Sequence, residues 1–258
     1  MQENKLETMD TEQDQTLLIE GRNAVIEAFR SGRTVERVYV LDGCQDGPVR
    51  TIIREAKKHG AILNFVEKDR LTKMSRTGKH QGVIACAAAY AYSEVEDMLA
   101  LARERGEDPF LILLDEIEDP HNLGAIIRTA NLAGAHGVII PKRRAAGLTA
   151  VAARASAGAV AYTPVAKVTN LNKTMEVLKT QGMWFVCADM DGTLMYDLNL
   201  TGPIGVVIGN EGSGVSELVK KNCDFTASIP MKGDIDSLNA SVAAGVLAYE
   251  IVRQRMKK

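Results

Sequence analysis

Two stretches of this 258-residue chain carry side chains whose types and spacing suit chemistry as well as packing. The first reads Glu118-Asp119-Pro120-His121-Asn122-Leu123-Gly124-Ala125-Ile126-Ile127-Arg128-Thr129, directly after an apolar run. A conventional reading makes Asp119 a helix cap, Pro120 a first-turn residue, Asn122 a local turn partner and Arg128 a solvated cation. Against it, residues 123, 126 and 127 are apolar, so Arg128 flanks the stripe that must be buried instead of lying opposite it. The second stretch, 205–244, holds two strand-like runs, 204–208 and 225–231, each followed by a loop that packing does not demand. One loop is Gly209-Asn210-Glu211-Gly212-Ser213-Gly214; the other, 232–239, ends in Ser237-Leu238-Asn239 and feeds a long helix. Glycine lets backbone amides and carbonyls approach a ligand closely. Two such loops at the carboxyl ends of parallel strands are where an open α/β sheet binds small molecules. Ser237 and Asn239 read equally as helix caps or as ligand contacts.

Familiar nucleotide motifs do not account for these loops. The spacing G-x-x-G-x-G at 209–214 differs from the dinucleotide fingerprint G-x-G-x-x-G and sits late in the chain. Thr77-Gly78-Lys79 lacks the upstream glycine of a phosphate loop. A basic run, Lys142-Arg143-Arg144, follows a strand end, with Arg154 on the next helix. It reads either as a solvated face or as part of the rim where active loops gather.

The composition, 46% apolar and 25% charged, is that of an ordinary globular protein, and no apolar run reaches the roughly 20 residues of a membrane helix. The cysteines (44, 86, 187, 223) and histidines (59, 80, 121, 136) show no metal-ligand spacing, so no metal is expected, and the thiols read as reduced in a cytoplasmic protein. A net charge of −2 leaves any nucleic-acid affinity to local patches.

The elements that must position these residues follow from periodicity. Residues 1–16 carry five acidic residues against Lys5 and predict a disordered tail. Residues 17–91 predict a small α/β domain, with strands at 37–41, 62–66 and 82–89 and helices at 23–30, 49–59 and 69–75. Residues 92–108 read as a charged, partly helical linker. The remainder, 109–258, alternates strands (110–114, 137–140, 184–188 and the two runs above) with helices (122–133, 149–160, 171–180 and the C-terminal helix). This alternation predicts a mostly parallel sheet covered on both faces. The 149–160 helix is built of small residues, which permits close approach of a neighbour.

Together the segments resemble the SpoU (TrmH) branch of the SPOUT RNA ribose 2′-O-methyltransferases. Three motifs carry the likeness in order: Asn122-x-Gly124-x3-Arg128-Thr129, Ile208-Gly209-Asn210-Glu211-Gly212, and Ile229-Pro230-Met231 followed by Ser237-Leu238-Asn239-Ala240-Ser241-Val242-Ala243. Gly21-Arg22-Asn23-Ala24-Val25 and His80-Gln81-Gly82-Val83 are similar to the L30e-like substrate-binding domain of the same enzymes. Within the branch, the resemblance is greatest to bacterial enzymes that methylate a guanosine of 23S ribosomal RNA.

The resemblance implies an L30e-like domain at 17–91 and, at 109–258, a SPOUT domain with a C-terminal trefoil knot, a rare exception to unknotted topology. It implies S-adenosylmethionine as methyl donor, held by Gly209, Asn210, Gly212, Ile229, Met231, Ser237 and Leu238. Arg128 would then lie nearest the reacting hydroxyl, with Asn122, Glu211 and Asn239 positioning the ribose and Arg128. Lys142, Arg143, Arg144 and Arg154 are the candidate RNA contacts. Family members are homodimers through the knotted domain; Val242, Val246, Tyr249 and Val252 on the last helix suit that, or burial in the chain's own core. A tRNA ribose methyltransferase and a non-catalytic RNA-binding protein are the alternative readings.

Overall fold

A computed structural model of the chain describes residues 17–235 and 237–256. The acidic stretch 1–16, expected as a tail, lies outside the described residues. The chain divides into two compact units, Met1–Ala91 with Gly147–Val151, and Tyr92–Ala146 with Ala152–Lys258.

The first unit contains β1 (Leu17–Glu20), α1 (Arg22–Arg30), β2 (Val35–Leu41), α2 (Gly47–His59), β3 (Ile62–Val66), α3 (Lys68–Met74) and β4 (Val83–Ala87). Its sheet runs in the order β1-β4-β2-β3, parallel only between β2 and β3. Successive strand residues point to opposite faces. Val38 and Val40 accordingly pack with Val25 and Phe29 of α1 and Ile52 of α2, while Tyr39 packs with Leu71 and Met74 of α3. The Asp46 side chain accepts from the Val49 N–H at the start of α2, and Gly60 ends that helix in the left-handed conformation, φ 70°.

The second unit contains α4 (Val95–Arg105), β5 (Phe110–Leu114), α5 (Pro120–Leu132), β6 (Gly137–Pro141), all but the first two residues of α6 (Ala150–Ala155), β7 (Val165–Val168), α7 (Leu171–Thr180), β8 (Trp184–Leu194), β9 (Ile204–Ile208), α8 (Glu217–Lys221), β10 (Phe225–Ser228) and α9 (Ala240–Arg255). The stretch expected as a linker therefore holds α4, whose Met98, Leu99 and Ala102 are buried. Met98 and Leu99 join the core cluster of Leu111, Leu113, Ile139 and Phe185. Gly137 leaves the room that the Met98 thioether fills, since a Cβ there would collide with it.

The six strands lie in the order β10-β8-β9-β5-β6-β7, and every pairing is parallel. Both β5 and β9 are buried along their whole length, as suits central strands covered on both faces. From β5 the chain builds outward through β6 and β7, then returns on the other side through β8 and β9. The sheet thus switches direction between β5 and β9, where open α/β sheets bind ligands. The small-residue helix expected at 149–160 stops at Ala155, because Ala157 and Gly158 take positive φ (49° and 89°). Its lack of bulk serves packing on α5: a Cβ at Gly124 would collide with the Ala152 carbonyl and the Ala155 methyl.

Candidate active site

The loops that leave β5 and β9 are stitched together before any ligand is considered. The Asp115 N–H donates to the Ile208 carbonyl at 2.8 Å, and the buried Asp115 carboxylate accepts from the Ser216 N–H at 2.8 Å. The Asn210 Nδ2 donates to the Glu116 carbonyl at 3.0 Å, and its Oδ1 accepts from the Gly212 N–H at 2.9 Å. Reciprocal backbone bonds between Asn210 and Gly214 close the glycine loop, with Gly214 at φ 68°. A Cβ at Gly209 would collide with the Gly214 and Val215 backbone, so only glycine fits the loop's neck.

Beside this loop, three polar side chains distant in sequence meet. Asn122, near the start of α5 and only 8% exposed, donates through Nδ2 to Glu211 Oε1 at 2.8 Å. Asn239 Nδ2 donates to Asn122 Oδ1 at 3.0 Å and also to Glu211 Oε1. The Asn239 Oδ1 meanwhile caps α9, accepting from the Ser241 and Val242 N–H groups and the Ser241 hydroxyl. Capping and clustering thus coexist in one residue. Asp119 caps α5 by accepting from the His121 N–H, with Pro120 in the first turn, as the conventional reading expects. Asn122, which that reading made a local turn partner, instead reaches across the site.

A cavity of about 300 Å³ opens beside the cluster, at the carboxyl end of β9 and past that of β10, with the middle of β8 as a further wall. Gly209, Asn210, Gly212, Ile229, Met231, Ser237 and Leu238, the residues expected to hold the methyl donor, all line it. Its apolar wall includes Ile208, Ala227 and Ala243, and among the described residues its charged lining residues are Asp189 and Glu211, both acidic. An apolar wall for a purine, backbone freed by glycine at the loop neck and acidic groups facing a cationic ligand fit S-adenosylmethionine.

Other expected residues lie apart from the cavity. Arg128 is exposed on α5, outside the cavity lining and the cluster. Arg143, Arg144 and Arg154 are exposed and Lys142 is half-buried; Arg144 pairs with Glu116 at 2.9 Å, on the loop that also holds Asn210. Sequence reading missed Asp115, which ties the loops, and Asp189, which lines the cavity. The signal was their place: each directly follows a strand run, 110–114 or 184–188, expected to end on the ligand-binding edge.

Comparison with known proteins agrees with this geometry. Residues 109–249 match the SpoU rRNA Methylase family, and residues 18–93 match the family described as RNA 2′-O ribose methyltransferase substrate binding. A Bacillus subtilis protein, YacO, named as a TrmH family tRNA/rRNA methyltransferase, is 48% identical over 244 residues, covering 91% of this chain and 94% of its own. The solved structure of the SpoU methyltransferase AviRb from Streptomyces viridochromogenes in complex with AdoMet is 26% identical, with a TM-score of 0.59 over 94% of this chain and 91% of that one. The A. aeolicus TrmH/SpoU tRNA modifying enzyme is 27% identical, with a TM-score of 0.53 over 63% of this chain and 84% of its own. Motif order, a parallel sheet with its cavity at the strand ends, and two family matches covering most of the length converge: the chain belongs to the SpoU (TrmH) family and is an S-adenosylmethionine-dependent RNA methyltransferase.

Proposed function

We propose that the enzyme methylates a ribose 2′-hydroxyl of RNA, on a guanosine of 23S ribosomal RNA, in the cytoplasm. The observation that carries the reaction is the Asn122–Glu211–Asn239 cluster beside the cavity, which three separate segments converge to build. S-adenosylmethionine, held by the lining residues named above, supplies an electrophilic methyl group. The hydroxyl is a weak nucleophile, so the site must orient it and help it shed its proton. A guanidinium is a poor base and a good donor to developing negative charge, so Arg128 serves better as a stabiliser of the developing alkoxide than as a base. The cluster positions the ribose.

Arg128 reaches such a site most directly if a second copy covers the α5–α9 face. Val242 and Tyr249 on α9 are 49% and 50% exposed, and this apolar stripe supports a homodimer through the second unit. A trefoil knot in the second unit belongs to the same reading; the order β10-β8-β9-β5, with α9 packing on α5 and β9, is compatible with it. Lys142, Arg143, Arg144 and Arg154, at the rim, are suited to RNA phosphates.

The ribosomal substrate is supported by the first unit, which matches a substrate-binding family, while the tRNA-modifying relative aligns with only 63% of the chain. Purified protein, labelled methyl donor and separate pools of unmodified ribosomal RNA and tRNA test it. Label in large-subunit RNA is the expected result. Label confined to tRNA moves the substrate to the alternative, no label despite donor binding points to a missing partner or particle, and no donor binding at all favours a non-catalytic RNA-binding role.

A further inference from the structure

We infer that Asp189 is a recognition residue for the methyl donor and that Lys220 positions it. The inference rests on the reading that the cavity holds the donor, and begins with an irregularity in strand pairing. Strand β10 pairs with β8 in one register through Phe225↔Val186 and Thr226↔Cys187, then resumes at Ala227↔Thr193 and Ser228↔Leu194. Residues 188–192 are skipped. Such bulges bend a strand and re-aim its side chains, and they concentrate beside active sites. Gly192 closes this one against the Thr226 carbonyl, where a Cβ would collide. The excursion turns Ala188, Asp189 and Met190 into the cavity wall.

Asp189 is anchored on both oxygens. Its Oδ1 accepts from the Asp191 N–H at 3.0 Å, and its Oδ2 pairs with the Lys220 ammonium at 2.7 Å. Lys220 reaches it from α8 and does not line the cavity, so the group presented to a ligand is the carboxylate. An ionised carboxylate has about four lone-pair sites, so anchoring two leaves acceptors for a ligand. Glu211, the other acidic lining residue, is engaged by Asn122 and Asn239. Asp189, outside that cluster and on the β8 side of the lining, is the acceptor assigned to N–H and O–H groups of the donor, its ribose hydroxyls or its ammonium.

Calorimetry with S-adenosylhomocysteine and 5′-methylthioadenosine, which keeps the adenosine and lacks the ammonium, tests this without turnover. Asp189→Ala is expected to weaken S-adenosylhomocysteine binding about 10- to 100-fold, the loss of one or two charge-assisted hydrogen bonds. Isosteric Asp189→Asn and Lys220→Met are expected to weaken it less. In turnover, KM for the donor rises while kcat holds, a split that general loosening of the fold would not give. Equal losses for both ligands assign the ribose hydroxyls; a loss confined to S-adenosylhomocysteine assigns the ammonium. Gly209→Ala serves as the control for the cavity. Unchanged affinities in folded Asp189→Ala, with binding lost in Gly209→Ala, overturn the role of Asp189 alone. Unchanged affinities in both overturn the cavity reading beneath it.

Discussion

Asn239 shows how one side chain can cap a helix and join a polar cluster beside a cavity at once. Its oxygen caps α9 and its amide nitrogen reaches Asn122 and Glu211, so stability and activity are separable by choice of substitution. Asn239→Ala loses both; removing a cap costs about 1 kcal/mol, which lowers Tm by roughly 2–4 °C in a protein of this size. Asn239→Ser keeps a capping hydroxyl, so thermal melts should recover while methyl transfer stays at least tenfold down; recovery of both would reduce the residue to a cap. The site was legible in the sequence where its parts are local: loops after strands, glycines at the neck, polar residues at a helix start. The place of Asp189 after the 184–188 run was legible too, but its aim was not, because that depends on a register break between two strands nearly forty positions apart.

At the scale of elements, legibility follows length and burial. Fully apolar β5 and β9 declare themselves, whereas β1 and β7, each four residues long, lack enough pattern to be named. The helix at 95–105 looked like a linker because its exposed face is densely charged and its buried stripe narrow. In the first unit, the Glu20 carboxylate at the end of β1 anchors the 75–77 turn, accepting from the Ser75 and Thr77 hydroxyls at 2.6 Å each and the Arg76 N–H at 2.7 Å. Partial burial pushes its pKa up, but these hydrogen bonds outweigh it and hold the group at about 2, against an ordinary 4.5. A carboxyl depressed on folding contributes stability that is present above its unfolded pKa and lost as pH falls through the folded one. Unfolding of the first unit monitored between pH 5 and 2 should therefore show stability falling across that window, and Glu20→Gln should flatten the fall. An equally steep fall in the variant would assign it to other carboxylates.

For the whole molecule, two unlike sheets divide the work that the fold makes possible. The parallel sheet gathers loops at one edge and so builds a site; the mixed sheet of the first unit has the substrate-binding match. If the α9 stripe is a subunit interface, Val242→Glu combined with Tyr249→Glu should convert a sedimenting dimer to a monomer; a wild-type monomer would remove the interface. If the rim residues hold phosphates, replacing Lys142, Arg143 and Arg144 with Ala should reduce the salt slope of RNA binding by roughly 0.7–0.9 for each phosphate no longer neutralised. An unchanged slope would return them to a solvated face. Above all, Arg128 and the Asn122–Glu211–Asn239 cluster are held to direct methylation to a ribose oxygen. Nucleoside analysis of RNA methylated by the wild-type and Arg128→Ala enzymes, with donor binding measured alongside, puts this to the test. The wild type should yield 2′-O-methylnucleoside, and Arg128→Ala at least about 100-fold less, the scale for removing one stabiliser of developing charge, with donor affinity retained. A methyl group on a base, or undiminished ribose methylation by Arg128→Ala, would be incompatible with that chemistry.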